Sequence, residues 1–147
     1  MNKKPISHWA VDVLKIGLQL LAASAVPPKK DVAKMNGHQF EQHVFEIFRL
    51  AKWHPQQTPT SGDSGADVLA TSPKGIRYAI ECKNWKKTIG NEVVRSINSG
   101  KQTYKCNKAV IVSARSEFTE PAKKQAKALG VILVRFADLE QWIKNQS

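Results

Sequence analysis

Two short apolar runs, separated by a helix with both ends marked, restrict this chain more than anything else in it. Ala109-Val110-Ile111-Val112 reads as a short strand buried on both faces, and Val131 to Val134 reads as another. Between them Thr119 is placed to cap a helix, with Pro121 in its first turn. Ala122, Ala126 and Leu129 would line the inner face of that helix, and Gly130 would stop it. A strand, a crossover helix and a second strand make a parallel pair, so part of any sheet here is parallel.

The residues upstream add an antiparallel part. Ala66 to Thr71 and Ile76 to Lys83 read as strands joined by the turn Pro73-Lys74-Gly75, a hairpin. Pro55 and Pro59 bracket an extended segment that is at best an edge strand. Asn36 is a candidate N-cap for a helix over Gly37 to Lys52. Phe40, Val44, Ile47 and Ala51 form one stripe of it, widened by Phe45 and Phe48; Glu41 borders that face. Asn91 to Tyr104 reads as a helix with Val94, Ile97 and Lys101 at helical spacing, and Leu139, Trp142 and Ile143 end the chain in a short helix. The expected fold is α/β, a mixed central sheet flanked by helices.

Charge narrows the function. Among 147 residues, 23 Lys and Arg stand against 12 Asp and Glu, a net charge of +11. So basic a chain attracts polyanions, nucleic acid first, with an anionic membrane surface or a merely solvated basic face as the other readings. Two cysteines, Cys82 and Cys106, with no CxxC pair, exclude the usual zinc site. Cys82 sits inside an apolar strand as a buried free thiol, which fits a reducing cytoplasm. None of the four histidines, His8, His38, His43 and His54, falls in a metal-ligand pattern.

Residues 1–34 form a separate segment, and 35–147 the main domain. Trp9, Val13, Ile16 and Leu20 fall at helical spacing, with Leu14, Leu18 and Leu21 beside them. An extra N-terminal packing or amphipathic helix is the first reading and a membrane-associated helix the second. An export signal ending near Ala23-Ser24-Ala25 is the third. Asp12, Lys15 and Gln19 break the apolar stretch below the roughly 20 residues a bilayer requires. Pro27-Pro28-Lys29-Lys30 ends the helix as a linker.

The chemistry concentrates in the hairpin. Alternation along a strand puts Glu81 and Lys83 on one face and Ile80 and Cys82 on the other. Asp67 follows the turn residues Gly62-Asp63-Ser64-Gly65 and starts the preceding strand, within reach of Glu81. Two carboxylates that close repel unless a cation sits between them. Mg²⁺ or Mn²⁺, with Asp67 and Glu81 as ligands, would activate a water and polarise a phosphoryl oxygen. Lys83 would orient the nucleophile and offset transition-state charge. That set serves phosphodiester hydrolysis; read blandly, it is a surface ion pair and a turn aspartate. Lys86 and Lys87 around Trp85, with Arg95 and Lys101 on the next helix, are candidate phosphate contacts, or a solvated charge run.

Several ordered motifs give these residues a family resemblance. They are Gly37-x-x-Phe40-Glu41, Ser61 to Asp67, Glu81-Cys82-Lys83, Ile89-Gly90 and Val93-Val94, then Ala109 to Val112, Phe118-Thr119, Ala122, Ala126, Gly130-Val131 and Leu139. Over about residues 35 to 143 the chain resembles the Mrr-like restriction endonucleases of the PD-(D/E)xK nuclease superfamily. The resemblance implies a restriction-endonuclease-like core and a metal-dependent DNA endonuclease acting in restriction or DNA processing. Asp67, Glu81 and Lys83 would be its catalytic residues, and Glu41 an auxiliary acid near the metal. As a helix-surface carboxylate beside the N-terminal dipole, Glu41 has an equally simple explanation. Ala66 stands where the superfamily name has Pro, and Glu81 where members often have Gln. Two alternatives stay open: a structure-selective nuclease such as a Holliday-junction resolvase, and a non-catalytic DNA-binding module. Cutting both strands would call for two active sites, hence a homodimer on DNA.

Overall fold

The structure, a computed structural model, describes residues 32–59 and 65–147. The expected N-terminal helix, the Pro-Pro linker and the turn residue Asp63 lie outside the described residues. The chain runs through α1 (Gly37–Leu50), β1 (His54–Gln57), β2 (Val68–Thr71), β3 (Arg77–Lys83) and α2 (Asn91–Thr103). It continues through β4 (Lys108–Ser113), α3 (Glu120–Leu129), β5 (Val131–Arg135), a 3-10 turn (Phe136–Asp138) and α4 (Leu139–Gln146). The five strands form one sheet in sequence order. β1, β2 and β3 pair antiparallel; β3, β4 and β5 pair parallel, with α2 and α3 as the two crossovers.

Each face of the sheet carries its own apolar layer. On one face α1 and α4 cover Val68, Tyr78, Ile80, Cys82, Val110 and Val112, with Trp53 beneath Phe48, Tyr78 and Trp142. On the other α2 and α3 cover Ala79, Ala109, Ile111 and Val131. The alternation that puts Cys82 in the first layer puts Glu81 and Lys83 on the second face. Cys82 and Cys106 are both free thiols.

Helix ends follow local chemistry. Asn36 and Gln39 close a capping box at α1: each side chain bonds the other's backbone N–H, at 2.8 and 2.9 Å. Thr119 caps α3, and Gly130 ends it in the left-handed region at φ 70°. α1 stops at Leu50, two residues before the boundary expected from sequence, because Lys52 turns left-handed at φ 62°. α2 stops at Thr103 with Lys105 at φ 53° for the same reason. Lysine at these positions gives no glycine-like stop signal. β2 begins at Val68, two residues after Ala66, because Gly65 bends the chain at φ 70°. No helix among the described residues is long and apolar enough to cross a membrane.

Candidate active site

The antiparallel register of β2 and β3 ends at Val68 and Ile80, and just beyond it the Asp67 and Glu81 side chains meet. The Asp67 N–H donates to the Ile80 carbonyl at 2.8 Å, and the Cys82 N–H donates to Asp67 Oδ2 at 2.8 Å. Both bonds fix the Asp67 carboxyl over the end of β3. Thr58 holds it from the other side, its hydroxyl donating to the carbonyls of Ala66 (2.6 Å) and Asp67 (3.2 Å). Lys83 Nζ lies 2.5 Å from Glu81 Oε1, with the Glu81 side chain buried and that of Lys83 only 20% exposed. A cavity of about 230 Å³ opens above them, lined by Glu41, Thr58, Pro59, Gly65, Ala66, Asp67 and Glu81. A larger recess, about 400 Å³, lies beyond β5 between Glu117, Leu133, Arg135 and Trp142 and holds no facing carboxyl pair over a buried lysine.

Electrostatics in the smaller cavity are strained in one direction. Burial, then the Asp67 charge, pushes the Glu81 carboxyl up to about 7, against the pull of Lys83. Burial also raises Asp67, with the Cys82 N–H and Lys83 opposing. Glu41 is raised by burial and by Asp67, with His38 opposing. Asp67 thus acts on both of the other acids, although Glu41 comes from α1 and Glu81 from the hairpin. Among the described residues no three His, Cys, Asp or Glu side chains close a metal cage. Mg²⁺ does not need one, being held by one or two carboxylates while it keeps waters and substrate phosphate oxygens. Two facing carboxyls against a single ammonium leave negative charge in excess, which fits a divalent cation.

The candidate phosphate contacts fare unevenly. Lys86 and Lys87 are exposed on the loop that follows Lys83. Arg95 is exposed on α2 but turns to α3, where it meets Gln125 at 3.4 Å. Lys101 lies in the last turn of α2, ten residues or roughly 15 Å along the axis from Asn91. That turn adjoins the start of β4, whereas Glu81 and Lys83 lie level with its end. The structure therefore does not bring Lys101 to the cavity: a crossover helix runs back along the sheet, and helical spacing alone does not say which end faces the site.

Sequence reading missed residues that act through the backbone. Thr58 is one. Asn84 is another, its amide donating to the carbonyls of Val32 (3.2 Å) and Met35 (2.6 Å), which ties the end of β3 to the chain entering α1. Ser96 is a third, lying against Gly65 so closely that a Cβ there would strike its carbonyl and hydroxyl oxygens. None carries a motif.

An antiparallel hairpin leading into two parallel crossovers, with an acid opposite a Glu-x-Lys pair, defines a restriction-endonuclease-like fold. Residues 32–143 match the Mrr_cat family, described as restriction endonuclease, and the chain belongs to that family. No curated protein matches. Solved structures of similar fold include a protein of unknown function, AF1548, at 20% identity and TM-score 0.55 over 66% of this chain and 56% of that one. A repair endonuclease from Pyrococcus abyssi aligns at 21% identity and TM-score 0.51, over 69% of this chain and 47% of the other. EndoMS in its apo form aligns at 14% identity and TM-score 0.51, over 69% and 46%. The alignments thus cover about half the length of those structures.

Proposed function

We propose that this chain is a metal-dependent DNA endonuclease that hydrolyses phosphodiester bonds, in restriction or DNA processing. The observation that carries the proposal is the contact between the Asp67 and Glu81 side chains, with Lys83 at 2.5 Å from Glu81. Membership of a restriction endonuclease family supports it, and so does the net charge of +11. The intact acidic pair disfavours a DNA-binding module without catalysis.

Asp67 and Glu81 are the residues that would hold Mg²⁺ or Mn²⁺. Bound there, the ion would supply a Lewis acid and lower the pKa of water. The chain's own residues do the rest. Asp67 is held by the Cys82 N–H and the Thr58 staple, so its carboxylate is positioned before substrate arrives. Lys83 keeps its ammonium beside the reacting phosphate, oriented by Glu81, and offsets charge as water adds to phosphorus and the leaving oxygen departs. Glu41 adds a third acid at the cavity wall, where it can hold a water. Exposed Lys86 and Lys87 would meet flanking phosphates.

The test is cleavage of supercoiled plasmid, with linear and branched duplexes in parallel, with and without Mg²⁺ or Mn²⁺. Wild-type protein is expected to nick or linearise DNA only with metal, and Asp67→Ala and Lys83→Ala to lose this by at least about a hundredfold. Undiminished cleavage by Lys83→Ala would refute the mechanism. Binding without cleavage on every substrate would favour a binding module.

A further inference from the structure

Trp85 stands two residues beyond Lys83, and both Lys83 Nζ and Lys87 Nζ lie over its ring at 4.5 Å from the centroid. The ring is half-buried against the layer under α2 and α3. Its backbone is pinned as well. The Ser116 hydroxyl donates to the Trp85 carbonyl, and Ser116 is itself locked to Ser113: the Ser116 N–H donates to Ser113 Oγ at 3.0 Å, and that hydroxyl donates back to the Ser116 carbonyl at 2.7 Å. Around it the Ala114 N–H donates to the Lys83 carbonyl, the Ile89 N–H to the Glu117 carbonyl and the Thr119 N–H to the Ile89 carbonyl. The loop after β3 is thus stapled to the loop after β4 on both sides of the indole.

We infer that Trp85 is a positioning residue that sets two lysines for two different tasks. An indole face attracts ammonium groups without offering a negative charge that would compete with substrate phosphate. Lys83 is drawn between that face and Glu81, which restricts a four-carbon stem that would otherwise sample many rotamers. Lys87 shares the ring, and among the described residues no carboxylate pairs with it, so its ammonium is available to a phosphate next to the one cleaved. The indole therefore spaces the catalytic cation from a substrate-gripping cation. A carboxylate at position 85 would attract both lysines more strongly, yet repel the DNA they serve. The inference rests on the nuclease reading.

The test compares Trp85→Phe, which keeps an aromatic face, with Trp85→Leu, which keeps apolar bulk, and Lys87→Ala. Cleavage kinetics are read at several salt concentrations. Ring-current shifts of the lysine ε-methylenes are read by NMR without DNA or metal. Trp85→Leu should remove the upfield shifts of two lysines and lower kcat about tenfold with the melting temperature held, and Trp85→Phe should restore most of both. Lys87→Ala should raise KM, leave kcat near wild type and lower the salt slope of binding by about one. Wild-type kcat in Trp85→Leu would overturn the inference, as would equal losses in the Phe and Leu variants. A wild type that cleaves no DNA with metal overturns the nuclease reading itself, whatever the NMR shifts.

Discussion

Glu81 sits in surroundings that oppose its charge. Its carboxyl ordinarily titrates near 4.5 and here is pushed up to about 7, first by burial and then by Asp67. Below 4.5 it is protonated in both the folded and unfolded chain. Between those values the folded chain holds the proton and the unfolded chain does not, so stability falls as pH rises through about 7. The loss amounts to about 3 kcal/mol at most. Glu81→Gln, which cannot ionise, is therefore expected to be more stable than wild type at pH 8 and to lose that advantage at pH 4. Urea unfolding without divalent ions at the two pH values measures this, and an unchanged difference between them would contradict it. The instability is of the kind a bound cation removes. His43 shows the opposite sign: burial lowers its pKa, so it favours a neutral ring on the inner face of α1, against Phe136.

At the level of elements, the turn leading into β2 is the joint on which the site depends. Gly65 is left-handed and lies against Ser96 of α2, so a side chain there meets both backbone strain and a steric block. Gly65→Ala is expected to cost about 2 kcal/mol or more and to slow cleavage by displacing Asp67. Matched denaturation and plasmid assays would read both effects, and a fully stable variant would show that the turn has room to relax. The strands and helices themselves were largely legible. β4 and β5 announce themselves as apolar runs, α3 by Thr119 and Gly130, and α1 by Asn36. The pairing of Glu81 with Lys83 followed from alternation, and the direction of Cys82 with it. What stayed hidden depends on chain reversal in three dimensions. Lysines in left-handed positions do not mark a helix end, Thr58 and Asn84 work through distant carbonyls, and Lys101 sits at the far end of a helix whose start lies near the site.

For the whole molecule, a charge of +11 should make DNA binding steeply salt-dependent, but unequally over the surface. Lys86→Ala is expected to lower the slope of log affinity against log salt by about one, and Lys101→Ala to leave it at the wild-type value. Equal slopes for the two variants would mean that DNA wraps far beyond the cavity. The length of β3 separates two further anchors of the fold. At one end Asn84 grips Val32 and Met35 beside the Glu-x-Lys strand. At the other, the Trp53 indole donates to the hydroxyl of Ser147, against Tyr78 at the start of that strand. Lys83 and Tyr78 are five residues apart on β3, roughly 17 Å. A purification handle or fused module joined after Ser147 is therefore expected to leave from the Tyr78 end of β3, whereas the chain at Val32 and Met35 runs beside the end that carries Glu81 and Lys83.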